Sequence, residues 1–168
     1  MLEPLKGEGR ALVAVEPVTG DVRAAVRRAL EGVEWRRVVP RGADVSLKVN
    51  LGWDLFIPGS ITSPLVAEAL ILELREHVNS IYMVEADQVL EDVESAFYRS
   101  GMAAVCRRTG VKWVNMERTP AVAVARPDNV ILRDVRIPQI LRDTVLITVP
   151  VMKTHAKTVI TGALKNQW

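Results

Sequence analysis

Short apolar runs alternate with amphipathic stretches along most of this chain. Runs of the buried-strand type cover residues 11–15, 45–50, 80–87, 111–116 and 144–151. Apolar side chains recur at helical spacing over 19–33, 63–77 and 91–109. This alternation is typical of β-α-β units. It predicts an open, mostly parallel α/β sheet with helices on both faces.

Local signals refine the predicted helices. Asp21 lies near the start of the first helix, where the helix dipole favours a carboxylate. Ser63 followed by Pro64 is typical of an N-cap and a first helical position. The pair "SG" at 100–101 predicts a break between two helices.

The segment before the last strand has a different pattern. The runs 121–125 and 130–137 are separated by the turn-forming residues "RPDN", which predicts a β-hairpin insertion in addition to the parallel sheet. Residues 137–143 predict a short helical connection, and "TVITGALKN" at 158–166 predicts the start of one more helix.

Composition predicts one globular domain over residues 1–168. Hydrophobic residues make up 49% of the chain and charged residues 25%, enough to bury a core. The net charge of +2 argues against bulk electrostatic binding to nucleic acid or to a membrane. The N-terminus lacks an apolar signal core and no apolar stretch approaches ~20 residues, so we expect a cytoplasmic protein.

Cysteine and histidine counts limit the chemistry. Cys106 is the single cysteine, so the chain forms no internal disulfide and holds no four-cysteine iron–sulfur cluster. Flanked by arginines on a helix, it is interpreted as a structural thiol rather than a nucleophile. His77 and His155 are the only histidines. The sequence leaves any metal or other cofactor unknown.

Polar residues follow three of the predicted strands, where ligands bind in open α/β sheets. Lys48 interrupts an apolar strand, and Asn50 follows in a turn. Two interpretations of Lys48 stay open: an edge lysine whose charge reaches water, or an anion-binding lysine at the mouth of the sheet. Glu85 and Asp87 end another strand, either as solvated acids or as acidic support for a base or a metal.

The last strand leads into "VPVMKTHAK". In an extended segment Lys153 and His155 point the same way, and a neighbouring cation favours the neutral imidazole that a base or a metal ligand needs. The alternative is a surface histidine in a basic loop. Thr161 and Gly162, before Lys165 and Asn166, form either an anion cradle at a helix start or an ordinary N-cap with a close-packing glycine.

These stretches together resemble the family named domain of unknown function 362. The resemblance rests on "SLKVNLG", "PGSITSP", "MVEAD", "TGVKWVNME" and "VPVMKTHAKTVITGALKNQW", in that order. The family's early lysine–proline–asparagine reads Lys48-Val49-Asn50 here, with valine in place of proline. Its lysine–threonine–histidine and its threonine–glycine–alanine–leucine–lysine–asparagine are complete, at 153–155 and 161–166.

The resemblance implies a redox or cofactor context, because family members often carry or accompany ferredoxin-type iron–sulfur domains. It also implies that the domain continues past the last motif, so we expect this chain to be the N-terminal part of a longer domain.

Two functional hypotheses follow. In the first, the chain is an enzyme, or part of one, that binds an anionic small molecule or cofactor and is linked to redox or metal chemistry. His155 and Lys153 are then catalytic, Lys48, Asn50, Thr161, Gly162, Lys165 and Asn166 bind the ligand, and Glu85 and Asp87 give acidic support. In the second, the chain is a non-catalytic module that assembles with an iron–sulfur protein, a complementary chain or a second copy.

Overall fold

A four-stranded, all-parallel sheet forms the centre of this computed structural model, which describes residues 11–87 and 92–167. The spatial order of its strands is β3-β2-β1-β6. The strands are β1 (Asp44–Lys48), β2 (Ser80–Glu85), β3 (Lys112–Asn115) and β6 (Val145–Thr148). The central strand β1 is buried along almost its whole length, as expected of a parallel strand covered on both faces.

Helices flank this sheet, and two small antiparallel sheets lie beside it. The helices are α1 (Val22–Gly32), α2 (Pro64–Leu74), α3 (Val93–Arg99), α4 (Met102–Thr109), α5 (Gln139–Asp143) and α6 (Ala163–Gln167). The antiparallel pairs are β4 (Ala121–Ala125) with β5 (Asp134–Pro138), and β7 (Lys153–His155) with β8 (Val159–Thr161). The predicted α/β class and the hairpin insertion are confirmed.

The direction of the chain explains the two helical layers. From β1 through β2 to β3 the chain moves one way across the sheet, and right-handed crossovers then place α2, α3 and α4 on one face. The step to β6 reverses direction and places α5 on the other face, where it contacts β1 and β6. The reversal occurs between β1 and β6, which makes this the topological switch point of the sheet.

The local helix signals are confirmed at three places. Asp21 caps α1, with its carboxylate accepting hydrogen bonds from two backbone N–H groups of the first turn. Ser63 is the N-cap residue of α2, and Pro64 is its first residue. Gly101 adopts a φ of 93° between α3 and α4, a conformation that glycine tolerates best. Residue 91, where this helical stretch was predicted to begin, lies outside the described residues.

Two predictions of secondary structure are wrong. Residues 11–15 form no strand: Val13 and Val15 are 75% and 88% exposed, and the segment runs beside α1, where Glu16 pairs with Arg28 at 2.8 Å. An apolar run becomes a strand only if another strand pairs with it, and periodicity does not supply that partner. Residues 158–161, predicted as a helix start, instead belong largely to β8, and α6 begins at Ala163.

Candidate functional site

The carboxyl ends of β1, β2 and β6 meet at one edge of the sheet. Lys48 is aligned with Val84 of β2 and with Thr148 of β6. The segments that follow β1 and β6 therefore leave the sheet side by side at the switch point. This alignment brings together residues that are about 100 positions apart in the sequence.

Lys48 and Glu85 form a buried ion pair at this edge. The ammonium of Lys48 donates to Oε1 of Glu85, and the two side chains are only 6% and 1% exposed. Glu85 also accepts hydrogen bonds from the backbone N–H groups of Leu51 (3.3 Å) and Ala86 (3.0 Å). Burial raises the pKa of Glu85, and the charge of Lys48 and these hydrogen bonds oppose the rise. The pair fixes the start of the loop that follows β1.

This arrangement rules out the interpretation of Lys48 as an edge lysine, because its charge is neutralised by Glu85 inside the protein and does not reach water. Its role in binding a ligand stays a prediction. Glu85 likewise supports Lys48 rather than His155. Removing one partner of such a buried pair leaves an uncompensated charge, so both residues act in the architecture beneath the site.

Thr62 and Asn166 join the loops at the same edge. Oγ1 of Thr62 accepts from the backbone N–H of Asn50 at 2.8 Å and donates to the carbonyl of Val149 at 2.6 Å. The side-chain amide of Asn166 donates to the carbonyl of Lys48 at 3.1 Å and to Oγ1 of Thr148 at 2.8 Å. Asn166, predicted to bind a ligand, thus holds α6 against the ends of β1 and β6.

A cleft of about 510 Å³ opens above these contacts. It lies between the loop after β1 and the hairpin formed by β7 and β8. Its lining residues are Asn50, Gly52, Trp53, Pro58, Gly59, Ser60, Lys153, Thr154, His155, Ala156, Thr161 and Lys165. The ionisable side chains among them are all basic, and no carboxylate lines the described part of the cleft.

Lys153 projects across this cleft to the opposite loop. Its ammonium donates to the backbone carbonyl of Ser60, and its Nζ lies 3.8 Å from the position that a Cβ on Gly52 would occupy. Burial, and then the nearby ammonium of Lys165, lowers the pKa of Lys153. Within the described residues neither lysine has a carboxylate within ion-pair distance.

His155 lies on the same face of β7 as Lys153. This is the arrangement predicted for residues two positions apart in an extended segment. Its Nδ1 accepts hydrogen bonds from the backbone N–H groups of Lys157 (3.0 Å) and Thr158 (3.2 Å). A nitrogen that accepts two hydrogen bonds carries no proton, so the neutral ring carries its proton on Nε2. His155 therefore presents an N–H donor, which suits an anion better than a metal ion.

Two polar atoms near the cleft have no partner among the described residues. They are Oγ1 of Thr161 and Oδ1 of Asn50, both buried and both on residues that line the cleft. Thr161 as a whole is only 2% exposed. Buried polar groups are hydrogen-bonded to protein or to ordered water in the great majority of cases, so these two atoms are free to bond to a water or to a ligand atom.

Gly162 and Asp87 lie outside this cleft. Nothing lies within 4 Å of a Cβ placed on Gly162, which directly precedes the five-residue helix α6, so close packing does not require a glycine there. The predicted anion cradle stays a prediction. Asp87 accepts from the backbone N–H of Val93 at 3.2 Å and from the amide of Asn115 at 3.4 Å, which directs it towards β3 and α3. Its predicted support of a base or a metal stays a prediction.

Sequence reasoning missed Ser60, Thr62 and Trp53. Ser60 acts through its backbone carbonyl, and Thr62 through contacts between distant loops, so neither carries a signal in the sequence. Trp53 does carry such a signal, because an aromatic residue is unusual in a loop rich in turn formers. In the structure Trp53 lines the cleft and is 52% exposed.

The model of the family described as domain of unknown function (DUF362) matches residues 45–168. The chain belongs to this family. The matched part of the DUF362 chain begins within β1 and includes every residue that lines the cleft, whereas α1 precedes it. No curated protein and no solved structure gave a significant match.

The described ranges of this DUF362 chain lack two further features. No helix there has the length and apolar character needed to cross a bilayer. No group of three or more His, Cys, Asp or Glu side chains there is arranged to hold a metal ion. Cys106 is buried on α4, and burial raises the pKa of its thiol to about 11, in line with the predicted structural role.

Proposed function

We propose that this chain binds an anionic small molecule in the cleft at the topological switch point. The observation that carries the proposal is the charge of the lining. Among the described residues, Lys153, His155 and Lys165 supply every ionisable group of the lining, and the ammonium of Lys165 lies close enough to that of Lys153 to destabilise its charge. A carboxylate or a phosphate would relieve this repulsion and accept charge-assisted hydrogen bonds.

Each basic residue has a distinct role in this proposal. Lys153 and Lys165 neutralise the anion, and the Nε2–H of His155 donates to one of its oxygens. If the ligand reacts, the Nε2–H of His155 donates a hydrogen bond to negative charge that develops on it, and Lys153 stabilises that charge electrostatically. These roles replace the base or metal-ligand role that the sequence suggested for His155, because Nδ1 is engaged by the backbone.

Titration calorimetry with inorganic phosphate and with acetate tests this proposal. We expect at least one of the two anions to bind, with an affinity that falls as the salt concentration rises. Lys153→Met should weaken binding about 10- to 100-fold, since one charge-assisted hydrogen bond contributes roughly 1.5–3 kcal/mol. The control is Lys112→Met, which removes the same charge from an exposed position on β3. Absence of binding by both anions, or equal losses in the two variants, would contradict the proposal.

A second candidate function is assembly with another chain. Apolar side chains are strongly exposed beside the cleft: Met152 and Leu164 are each 84% exposed, and Val159 is 79% exposed. Exposed apolar groups that lie together mark interaction surfaces in soluble proteins. Light scattering across a concentration series tests self-assembly, and a constant monomeric mass would contradict the homo-oligomer.

A further inference from the structure

We infer that the anion is a phosphate monoester whose organic part carries a hydroxyl group. This inference rests on the proposed anion site and specifies its ligand. It follows from three properties of the cleft: its charge, its unpaired hydrogen-bonding atoms, and its size and aromatic wall. Each limits the ligand in a different way.

The charge of the cleft favours a dianion. Two ammonium groups, those of Lys153 and Lys165, lie near each other, and no carboxylate in the described part of the lining offsets them. A carboxylate ligand would neutralise one of the two charges. A phosphate monoester carries close to two negative charges at neutral pH and neutralises both.

The unpaired atoms require a donor as well as an anion. Oδ1 of Asn50 can only accept a hydrogen bond, and so can the oxygens of a dianionic phosphate. An anion alone therefore leaves Asn50 unsatisfied, whereas Thr161 can donate its hydroxyl proton to a phosphate oxygen. A ligand that brings its own donor satisfies Asn50. An ammonium group would be repelled by the two lysines, so a neutral hydroxyl fits best.

The size of the cleft indicates an organic part. A volume of about 510 Å³ falls within the roughly 300–1,000 Å³ typical of sites for organic ligands. Trp53 lines this volume with its side chain about half exposed, and the face of its ring can pack against a carbon skeleton. The predicted ligand class is thus a small hydroxylated phosphate, such as a polyol or sugar phosphate.

Three probes of equal charge type test the inference on the wild-type chain by calorimetry at constant ionic strength: inorganic phosphate, glycerol 3-phosphate and n-propyl phosphate. The two esters have the same carbon chain and differ in their hydroxyl groups. We expect glycerol 3-phosphate to bind about 5- to 10-fold more tightly than propyl phosphate. This ratio of affinities corresponds to the free energy of roughly one buried hydrogen bond. Equal affinities of the two esters would overturn the inference.

Two variants locate the effect. Asn50→Ala should abolish the preference for glycerol 3-phosphate while changing the affinity for inorganic phosphate less than about twofold, because only the hydroxyl contact is lost. Thr161→Val should weaken binding of all three probes about fivefold without lowering the melting temperature of the free protein, since its hydroxyl has no partner there. A preference that survives in Asn50→Ala would refute the assignment of the donor to Asn50.

The outcomes separate this inference from the proposal on which it rests. If neither inorganic phosphate nor acetate binds, the proposed function itself fails. If acetate binds more tightly than phosphate, the proposed anion site stands and the phosphate ester is overturned. If phosphate and both esters bind alike, the site again stands and the hydroxyl group is overturned. The comparison of esters uses the wild-type chain, so it decides the question even if a variant does not fold.

Discussion

The buried pair of Lys48 and Glu85 makes a quantitative prediction about stability. Lys48→Met keeps the length of the side chain and removes its charge, leaving the Glu85 carboxylate 1% exposed without its partner. Two unit charges about 4 Å apart attract by about 4 kcal/mol at an effective dielectric constant near 20. Breaking a buried pair on one side costs about 3–5 kcal/mol. We therefore expect Lys48→Met to lower the free energy of unfolding by this amount near pH 7.5.

The loss should depend on pH in a defined direction. Burial raises the pKa of Glu85 in the folded protein above its usual 4.5. In the wild type the charge of Lys48 opposes this rise, so removing Lys48 raises the pKa of Glu85 further. The folded state of the variant then takes up a proton more readily than the unfolded state. Its stability penalty is full above the raised pKa and shrinks as the pH falls towards 4.5.

Urea unfolding followed by tryptophan fluorescence measures both effects, since Trp35 is 4% exposed in the core. The control is Lys112→Met, an exposed lysine on β3, for which we expect a change within about 0.5 kcal/mol. Adding Glu85→Gln to Lys48→Met should recover part of the lost stability. A penalty below about 1 kcal/mol, or one that is the same near pH 5 and near pH 7.5, would refute the reasoning.

Two further predictions concern contacts that join elements of the fold. Glu73 accepts hydrogen bonds from two arginines of α1, which lower its pKa from 4.5 to about 2. Because both arginines are about half exposed, we discount the effect to about 1–2 kcal/mol. Glu73→Gln should lose this stability above pH 4.5, and its deficit should shrink as the pH falls from 4.5 and vanish below about pH 2 in urea unfolding, unlike the control Glu76→Gln, whose side chain is 90% exposed. Asn166→Ala should lower the melting temperature, because it leaves buried acceptors unpaired at a cost of about 1–3 kcal/mol; an equal effect of Gln167→Ala, an exposed residue of α6, would contradict this role.

Sequence reasoning predicted which residues gather at one edge of the sheet, but not which of them pair with each other. Lys48 stood out because a lysine inside an apolar run needs a partner, and Glu85 stood out at the end of the next strand. Their pairing depends on the alignment of β1 with β2, which no local pattern encodes. Lys153 and His155 were placed correctly on one face because side chains alternate along any extended segment.

The hairpin of β7 and β8 shows where the local pattern of apolar residues predicts the wrong secondary structure. Residues 158–161 have the apolar spacing of a helix start, yet Thr161 pairs with Lys153 in an antiparallel hairpin. The turn requires Val159 to adopt a φ of 66°, which is unfavourable for a β-branched residue. Nothing in the sequence marks that position as a turn, because glycine or asparagine is the usual residue there. Tertiary contacts therefore override the local preference.

The sequence by itself determined the parallel α/β architecture and the edge of the sheet where polar groups gather. Both follow from the alternation of continuous apolar runs with amphipathic stretches, a property of neighbouring residues. Only the tertiary structure decided which polar groups neutralise each other and which face the cleft. Lys48 and Lys153 both follow apolar strand residues, but one meets Glu85 inside the protein and the other reaches across an open cleft to Ser60. That difference arises because each side chain's environment is built by strands and loops distant in sequence.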